Sequence, residues 1–174
     1  MMLRIGWKTT TVLQENLVTD MNAATPEMLW DGCEDTRRNI LFVCTGNTCR
    51  SPMAEVIFNF DYADSGYTAG SAGLMADGSS MSDNALDALF EEGYRVNGER
   101  ASCQLTEDMM ERADIVIGIT ASHAMQIVML YPQYASKVYS MPFDIADPYG
   151  GSIEVYRACL ADIKKALSIV AESI

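Results

Sequence analysis

The string Cys44-Thr45-Gly46-Asn47-Thr48-Cys49-Arg50-Ser51-Pro52 sets a thiol and a guanidinium at the two ends of a small polar loop. A thiol is a strong nucleophile as its thiolate, and a helix N-terminus and a nearby cation both favour that form. A guanidinium offers two parallel N–H donors to the oxygens of a tetrahedral anion. Together the two groups describe attack by sulfur on a bound phosphoryl centre. The residues between them suit a cradle. Gly46 and Asn47 accept left-handed backbone angles, so a tight loop can aim its N–H groups inward, and Thr45, Thr48 and Cys49 complete the lining. Ser51 can donate its hydroxyl to Cys44 and steady the sulfur as nucleophile and as leaving group. Pro52 suits a first helical turn, where a missing N–H costs nothing.

A bare Cys-x5-Arg pair is weak in a chain with five cysteines. It gains weight from a second segment, Asp147-Pro148-Tyr149-Gly150-Gly151. Transfer of a phosphoryl group to a thiolate needs an acid to protonate the departing atom. A turn rich in proline and glycine can present the Asp147 carboxylate at a pocket rim, with Tyr149 as an aromatic wall beside it. By itself the segment is only a turn; with the Cys44 loop it supplies the general acid.

Groups so far apart in sequence need a scaffold to bring them together. Asn39-Ile40-Leu41-Phe42-Val43 is an apolar run suited to a buried strand, and Pro52-Met53-Ala54-Glu55-Val56-Ile57-Phe58 opens a helix. Strand, glycine loop and helix in succession point backbone N–H groups at an anion. Residues 67–72 read as a strand ending in Ser71-Ala72-Gly73. Residues 82–92 form a helix with Ala85, Leu86, Leu89 and Phe90 on one face and a stop at Gly93. Thr106 caps a short helix. Residues 115–119 are a buried strand followed by a helix over 122–131, residues 138–141 a short strand, and residues 152–174 an amphipathic helix. Strands alternating with helices predict an α/β fold with a parallel sheet, right-handed crossovers and the site at the carboxyl ends of the strands. Cys44, Ser71 and the Asp147 loop all follow strand ends.

From Asn39 to the C-terminus the chain resembles the low-molecular-weight protein-tyrosine phosphatases and their bacterial protein-arginine-phosphatase relatives. The likeness rests on residues 44–54, on Ser71-Ala72-Gly73, on Gln104-Leu105-Thr106-Glu107 and on residues 147–156. It implies a three-layer, Rossmann-like fold of the phosphotyrosine phosphatase I type, with four central parallel strands. It implies a phosphoprotein phosphatase in which Cys44 forms a cysteinyl-phosphate and Arg50 binds the phosphoryl oxygens. Asp147 protonates the leaving group and then acts as base for the hydrolytic water. Asn47, Ser51 and Ser71 form the hydrogen-bond network that fixes the loop. Where the family often carries a histidine shortly before the Gln-Leu-Thr stretch, this chain places Arg100, which puts part of that network in question. The loop residue four after the nucleophile helps set the substrate. Thr48 and Gly150 resemble the arginine-directed branch, so phosphoarginine in proteins is the favoured substrate and phosphotyrosine the runner-up. An arsenate reductase shares the loop but needs a downstream cysteine pair, and Cys103 and Cys159 are single and far apart. A silent phosphoprotein-binding module would not need Cys44, Arg50 and Asp147 together.

Composition suits a single soluble domain, and the resemblance implies a phosphatase domain over residues 39–174, preceded by an extension over 1–38. A chain of 174 residues buries roughly 70% of its unfolded surface. A net charge of −12 argues against nucleic-acid or anionic-membrane partners, and no apolar run is long enough to span a bilayer. Neither cofactor nor metal is expected, since Arg50 and the loop N–H groups do a metal's work. The scattered cysteines, Cys33, Cys44, Cys49, Cys103 and Cys159, form no disulfide framework and suggest a reducing, cytoplasmic setting. Cys49 has two readings, a small loop filler or the partner of Cys44 in a protective reversible disulfide. His123, the sole histidine, reads as a helix-surface or partly buried residue. For residues 1–38 three readings stay open: a docking arm, an extension packed on the domain, or a start misplaced upstream of Met21 or Met28.

Overall fold

The computed structural model describes residues 37–96 and 100–174. Its first strand, Arg38–Cys44 (β1), is apolar on both faces: Ile40, Phe42 and Cys44 pack to one side, Leu41 and Val43 to the other. Only an interior strand of a sheet covered on both sides can bury such a run. The chain continues through Arg50–Asp61 (α1), Tyr67–Gly73 (β2), Asp83–Glu91 (α2), Glu107–Arg112 (α3), Ile115–Gly118 (β3) and Ala121–Leu130 (α4). A 3-10 turn over Pro132–Lys137, then Val138–Ser140 (β4) and Ile153–Ser173 (α5), complete it.

The strands pair in the order β2-β1-β3-β4, all parallel. The chain leaves β1 to one side and returns to the other, so the carboxyl ends of β1 and β3 flank the switch point where open α/β sheets take ligands. Met53, Ile57 and Phe58 of α1, Leu89 of α2 and Leu160, Ile163 and Leu167 of α5 cover the Phe42 face. Met109 and Met110 of α3 and Ile127 of α4 cover the Val43 face. The three layers and the four-stranded parallel sheet are those expected.

Boundaries differ in instructive ways. Helix α1 begins at Arg50, two residues before Pro52, because Met53 N donates to Cys49 O at 3.1 Å and starts the ladder from the loop itself. The 3-10 turn was not foreseen. Pro132 stops α4, and Lys137 Nζ then ties the turn to Ala113 O at 2.6 Å and Glu111 O at 3.1 Å. No described helix is long and apolar enough to cross a membrane. Residues 1–36, with Cys33 and the alternative starts at Met21 and Met28, lie outside the described residues.

Candidate active site

Between Cys44, the last residue of β1, and Arg50, the first of α1, the backbone makes one tight circuit. Asn47 takes the left-handed conformation with φ 54°, and it is the one described residue other than glycine to do so. Gly46 does not adopt positive φ, contrary to expectation; the small amide of Asn47 alone serves the turn. The glycine that the loop requires lies outside it. A Cβ on Gly73 at the end of β2 would stand 2.7 Å from Thr45 O and 3.0 Å from Asn47 N, so loop and strand meet only across a bare backbone. Loop carbonyls turn outward to the segment after β2: Leu74 N donates to Cys44 O at 2.9 Å, Met75 N to Thr45 O at 2.8 Å and Ser82 N to Thr48 O at 2.9 Å.

The Cys44 sulfur is buried, 3.0 Å from Ser51 Oγ, and Asn47 N–H points at it from 3.3 Å. Behind it the Asn47 amide divides its work. Nδ2 donates to Ser51 Oγ at 3.0 Å and to Ser71 Oγ at 2.7 Å, while Oδ1 accepts from Cys103 N at 2.9 Å. Ser71 also accepts from Arg100 Nη2 at 3.0 Å, and Arg100 forms a two-point ion pair with Glu55 of α1. The network left in question by the arginine is therefore closed by it.

A cavity of about 470 Å³ opens above the loop. Its lining joins Cys44, Thr45, Gly46, Thr48, Cys49 and Arg50 to Asp147 and Tyr149, with Met75, Asp77, Ser79, Ser80 and Ser82 forming the far wall. Asn47 and Ser51 do not line it. At 2% and 0% exposure they stand behind the wall as supports, the part expected of them in the network that fixes the loop. Ser71 is likewise buried behind the wall. Arg50 does not reach freely over the loop: Nη1 donates to Ile145 O at 3.3 Å and Nη2 to Asp147 Oδ2 at 2.7 Å. Asp147 is held from its other oxygen by Tyr149 N at 3.2 Å, and the Tyr149 ring, 78% exposed, stands at the mouth. The loop between β2 and α2 adds a carboxylate, Asp77, held below its usual range by hydrogen bonds from Ser79.

His123 lies closer to this site than its sequence position suggested. It is 5% exposed, with Nε2 3.0 Å from Thr45 Oγ1 and Nδ1 2.9 Å from Thr120 Oγ1, so it buttresses the loop from α4. Burial lowers its pKa, and the neighbouring Arg50 charge adds to the effect. Thr45 spends its hydroxyl on that contact. The Cys49 thiol is free and sits 3.3 Å from the Tyr156 hydroxyl, to which Ser82 Oγ donates at 3.0 Å. Burial pushes Tyr156 up to about 12, with the Cys49 bond adding to it. Cys103 is raised by burial, and Cys159 is pushed up to about 12 by the same cause. Neither is poised as a relay thiol. Sequence reasoning missed His123, Tyr156, Ser82 and Glu55. Glu55, a lone acid on the buried face of α1, was the one with a readable signal. Among the described residues, no three His, Cys, Asp or Glu side chains cluster as a metal site.

Comparison with known proteins matches residues 39–174 to the family described as low molecular weight phosphotyrosine protein phosphatase. A protein-arginine-phosphatase of Bacillus subtilis is 36% identical over 146 residues, covering 78% of this chain and 96% of that protein. A solved arginine phosphatase with a phosphorylated active-site serine superposes with a TM-score of 0.73 at 34% identity, over 78% of this chain and 94% of the other. A solved low molecular weight protein tyrosine phosphatase from T. tengcongensis gives 0.74 at 35% identity, over 79% and 99%.

Proposed function

Because the chain belongs to the low molecular weight phosphotyrosine protein phosphatase family, we propose that it hydrolyses phosphoarginine in proteins through a phosphocysteine on Cys44. The observation that carries this reading is the Cys44 sulfur at the floor of a cavity, with Ser51 Oγ at 3.0 Å, Asn47 N–H at 3.3 Å and the Arg50 guanidinium on the same wall. In the first step the sulfur attacks phosphorus and the P–N bond to the guanidino nitrogen breaks. Asp147 gives its proton to that nitrogen. In the second step water attacks phosphorus, Asp147 takes the water's proton, and the S–P bond breaks to return the thiolate and free phosphate. Arg50 and the amides at the start of α1 carry the charge that builds on the phosphoryl oxygens.

Substrate choice rests on the wall. Thr48 offers a hydroxyl, and two carboxylates, Asp77 and Asp147, line the cavity. A phosphoguanidinium brings positive charge and N–H donors to meet them; a phenyl ring brings neither. A similar arginine phosphatase and the structure with a phosphorylated serine support the same chemistry. The second reading, phosphotyrosine, is favoured by the exposed Tyr149 and Met75, which offer an aromatic and apolar mouth. We take residues 39–174 as the catalytic domain and 1–38 as an extension to it, supported by where the family match begins. Four free thiols among the described residues support a cytoplasmic setting.

The test compares kcat/KM on a phosphoarginine protein and on a phosphotyrosine peptide, with acid quenching to trap phosphate on Cys44. Phosphoarginine should win. A preference for phosphotyrosine above about tenfold, or roughly 1.4 kcal/mol in the transition state, overturns the substrate. Absence of phosphorus on sulfur overturns the mechanism.

A further inference from the structure

On the side of the sheet that α1 and α5 share, the strand register runs from Tyr67 of β2 and Arg38 of β1 across to Ile117 of β3 and Tyr139 of β4. A parallel sheet normally buries both faces of its strands. Among the described residues, β4 is covered on one face only. Val138 packs beneath the layer of α3 and α4, while Tyr139, on the α5 side, is 56% exposed. Ile169 in the last turns of α5 is also left open, at 41%. Here lies a second cavity of about 490 Å³, as large as the one above Cys44, walled by Tyr67, Ile117, Tyr139, Pro142 and Ile169. The charged side chain of its lining is Arg38, whose guanidinium lies 4.4 Å from the centre of the Tyr67 ring. The groove shares no residue with the cavity above Cys44.

We propose that this groove is the seat of the chain's own N-terminal extension, filled by Met28-Leu29-Trp30. The extension joins the described domain at the groove itself, since Arg38 is both the first residue of β1 and part of the lining. Trp30 precedes Arg38 by eight positions, a reach of up to about 28 Å when extended, so the stretch arrives without moving any element of the domain. The chemistry is complementary. Methionine, leucine and tryptophan bring apolar bulk to a wall of isoleucine, proline and tyrosine, and the acids that follow them, Asp31, Glu34 and Asp35, lead to the cationic Arg38. So short a tether holds the stretch over the groove at about millimolar concentration, so a contact with a Kd of about 0.1 mM between separate molecules is filled about nine-tenths of the time. Leu3, Ile5 and Trp7 close a longer loop and compete at a disadvantage. Seated there, the Trp30 ring covers Tyr139 and Ile169 and gives β4 its second face.

Trp7 and Trp30 are the two tryptophans of the chain, so Trp7→Phe leaves Trp30 as its own reporter. The experiment measures acrylamide quenching of Trp30 emission in full-length W7F, W7F/Y139E and W7F/I169E, each checked for folding by thermal melting. W7F/M129E is the control, with the charge placed on an exposed apolar residue of α4. Trp30 in W7F should be quenched at least about threefold less than in a free peptide of residues 25–36. The two groove variants should be quenched like the peptide, and M129E like W7F. A second measurement holds even where a glutamate unfolds the domain: full-length W30A should speed amide hydrogen exchange at residues 138–140 and 169–173 by about fivefold and leave residues 44–50 unchanged. Quenching of W7F equal to that of the peptide, protection that survives both groove variants, or exchange unchanged by W30A overturns the proposal. Protection that grows with protein concentration alongside a dimer in light scattering gives the groove to a second copy, and overturns it as well.

Discussion

Asp147→Asn separates the two duties proposed for one carboxylate. Asp147 Oδ2 accepts from Arg50 Nη2 at 2.7 Å, so it occupies a guanidinium that a phosphoryl group must use. Loss of the proton donor should lower kcat on a phosphoarginine protein by about 10²–10⁴. Read as kcat/KM, which reports formation of the phosphocysteine, the loss should fall below about tenfold for an aryl phosphate whose leaving group departs without a proton, while hydrolysis of the phosphocysteine, with Asp147 as its base, slows for both substrates. Anion affinity should move the other way. The Asp147 side chain is 54% exposed, so water screens its attraction to Arg50 to the order of 1 kcal/mol. Releasing that competition, and removing a negative charge beside the incoming phosphate, should tighten inhibition by inorganic phosphate about fivefold. Steady-state kinetics with both substrates and phosphate as competitor read all three quantities. Equal losses in kcat/KM on the two substrates, or phosphate inhibition unchanged or weaker, would refute the double role.

Three further outcomes follow from the geometry. Thr48→Ile removes a hydroxyl from the cavity wall and adds an apolar branch, so the ratio of kcat/KM for phosphotyrosine over phosphoarginine should rise about tenfold; an unchanged ratio removes Thr48 from substrate choice. Gly73→Ala puts a methyl 2.7 Å from Thr45 O, and overpacking of this kind should cost about 1–3 kcal/mol, seen as a lower Tm and slower turnover. His123 has its pKa depressed by burial, so the unfolded chain binds its proton first: stability is full above the unfolded value of about 6.5 and is lost as pH falls from there through the folded value. Melting the parent and His123→Gln between pH 7.5 and 5 should show a steeper decline in the parent, and parallel curves would contradict the buried, neutral imidazole.

The order of strands and helices was legible because each element announces itself locally. Ile40 to Val43 is apolar without alternation, and Thr106 and Thr120 each cap a helix with a hydroxyl that accepts from the residue three ahead. The loop from Cys44 to Arg50 was equally plain, since residue types and spacing there are dictated by the chemistry. What could not be read was orientation. Nothing in the string says that Asn47 and Ser51 face away from the cavity, or that Arg50 rests on Asp147. His123 was misjudged because a helix position fixes a face only relative to a partner. Its partner, Thr45, lies 78 residues upstream. Arg100 seemed a defect in the network because its counterion, Glu55, is 45 residues away on α1. Long-range pairs of this kind are set by packing, which no local pattern encodes.

Cys44 closes β1, an interior strand flanked by β2 and β3 and covered by both helical layers. A residue so placed has no private route to disorder. Amide protons along 41–44 should exchange with solvent only when the whole domain opens, and heating should abolish turnover at the same temperature at which the sheet melts. The working lifetime of the enzyme is therefore governed by side chains remote from the reaction, such as Leu160, Ile163 and Leu167 in the last helix, as much as by any group that touches phosphorus.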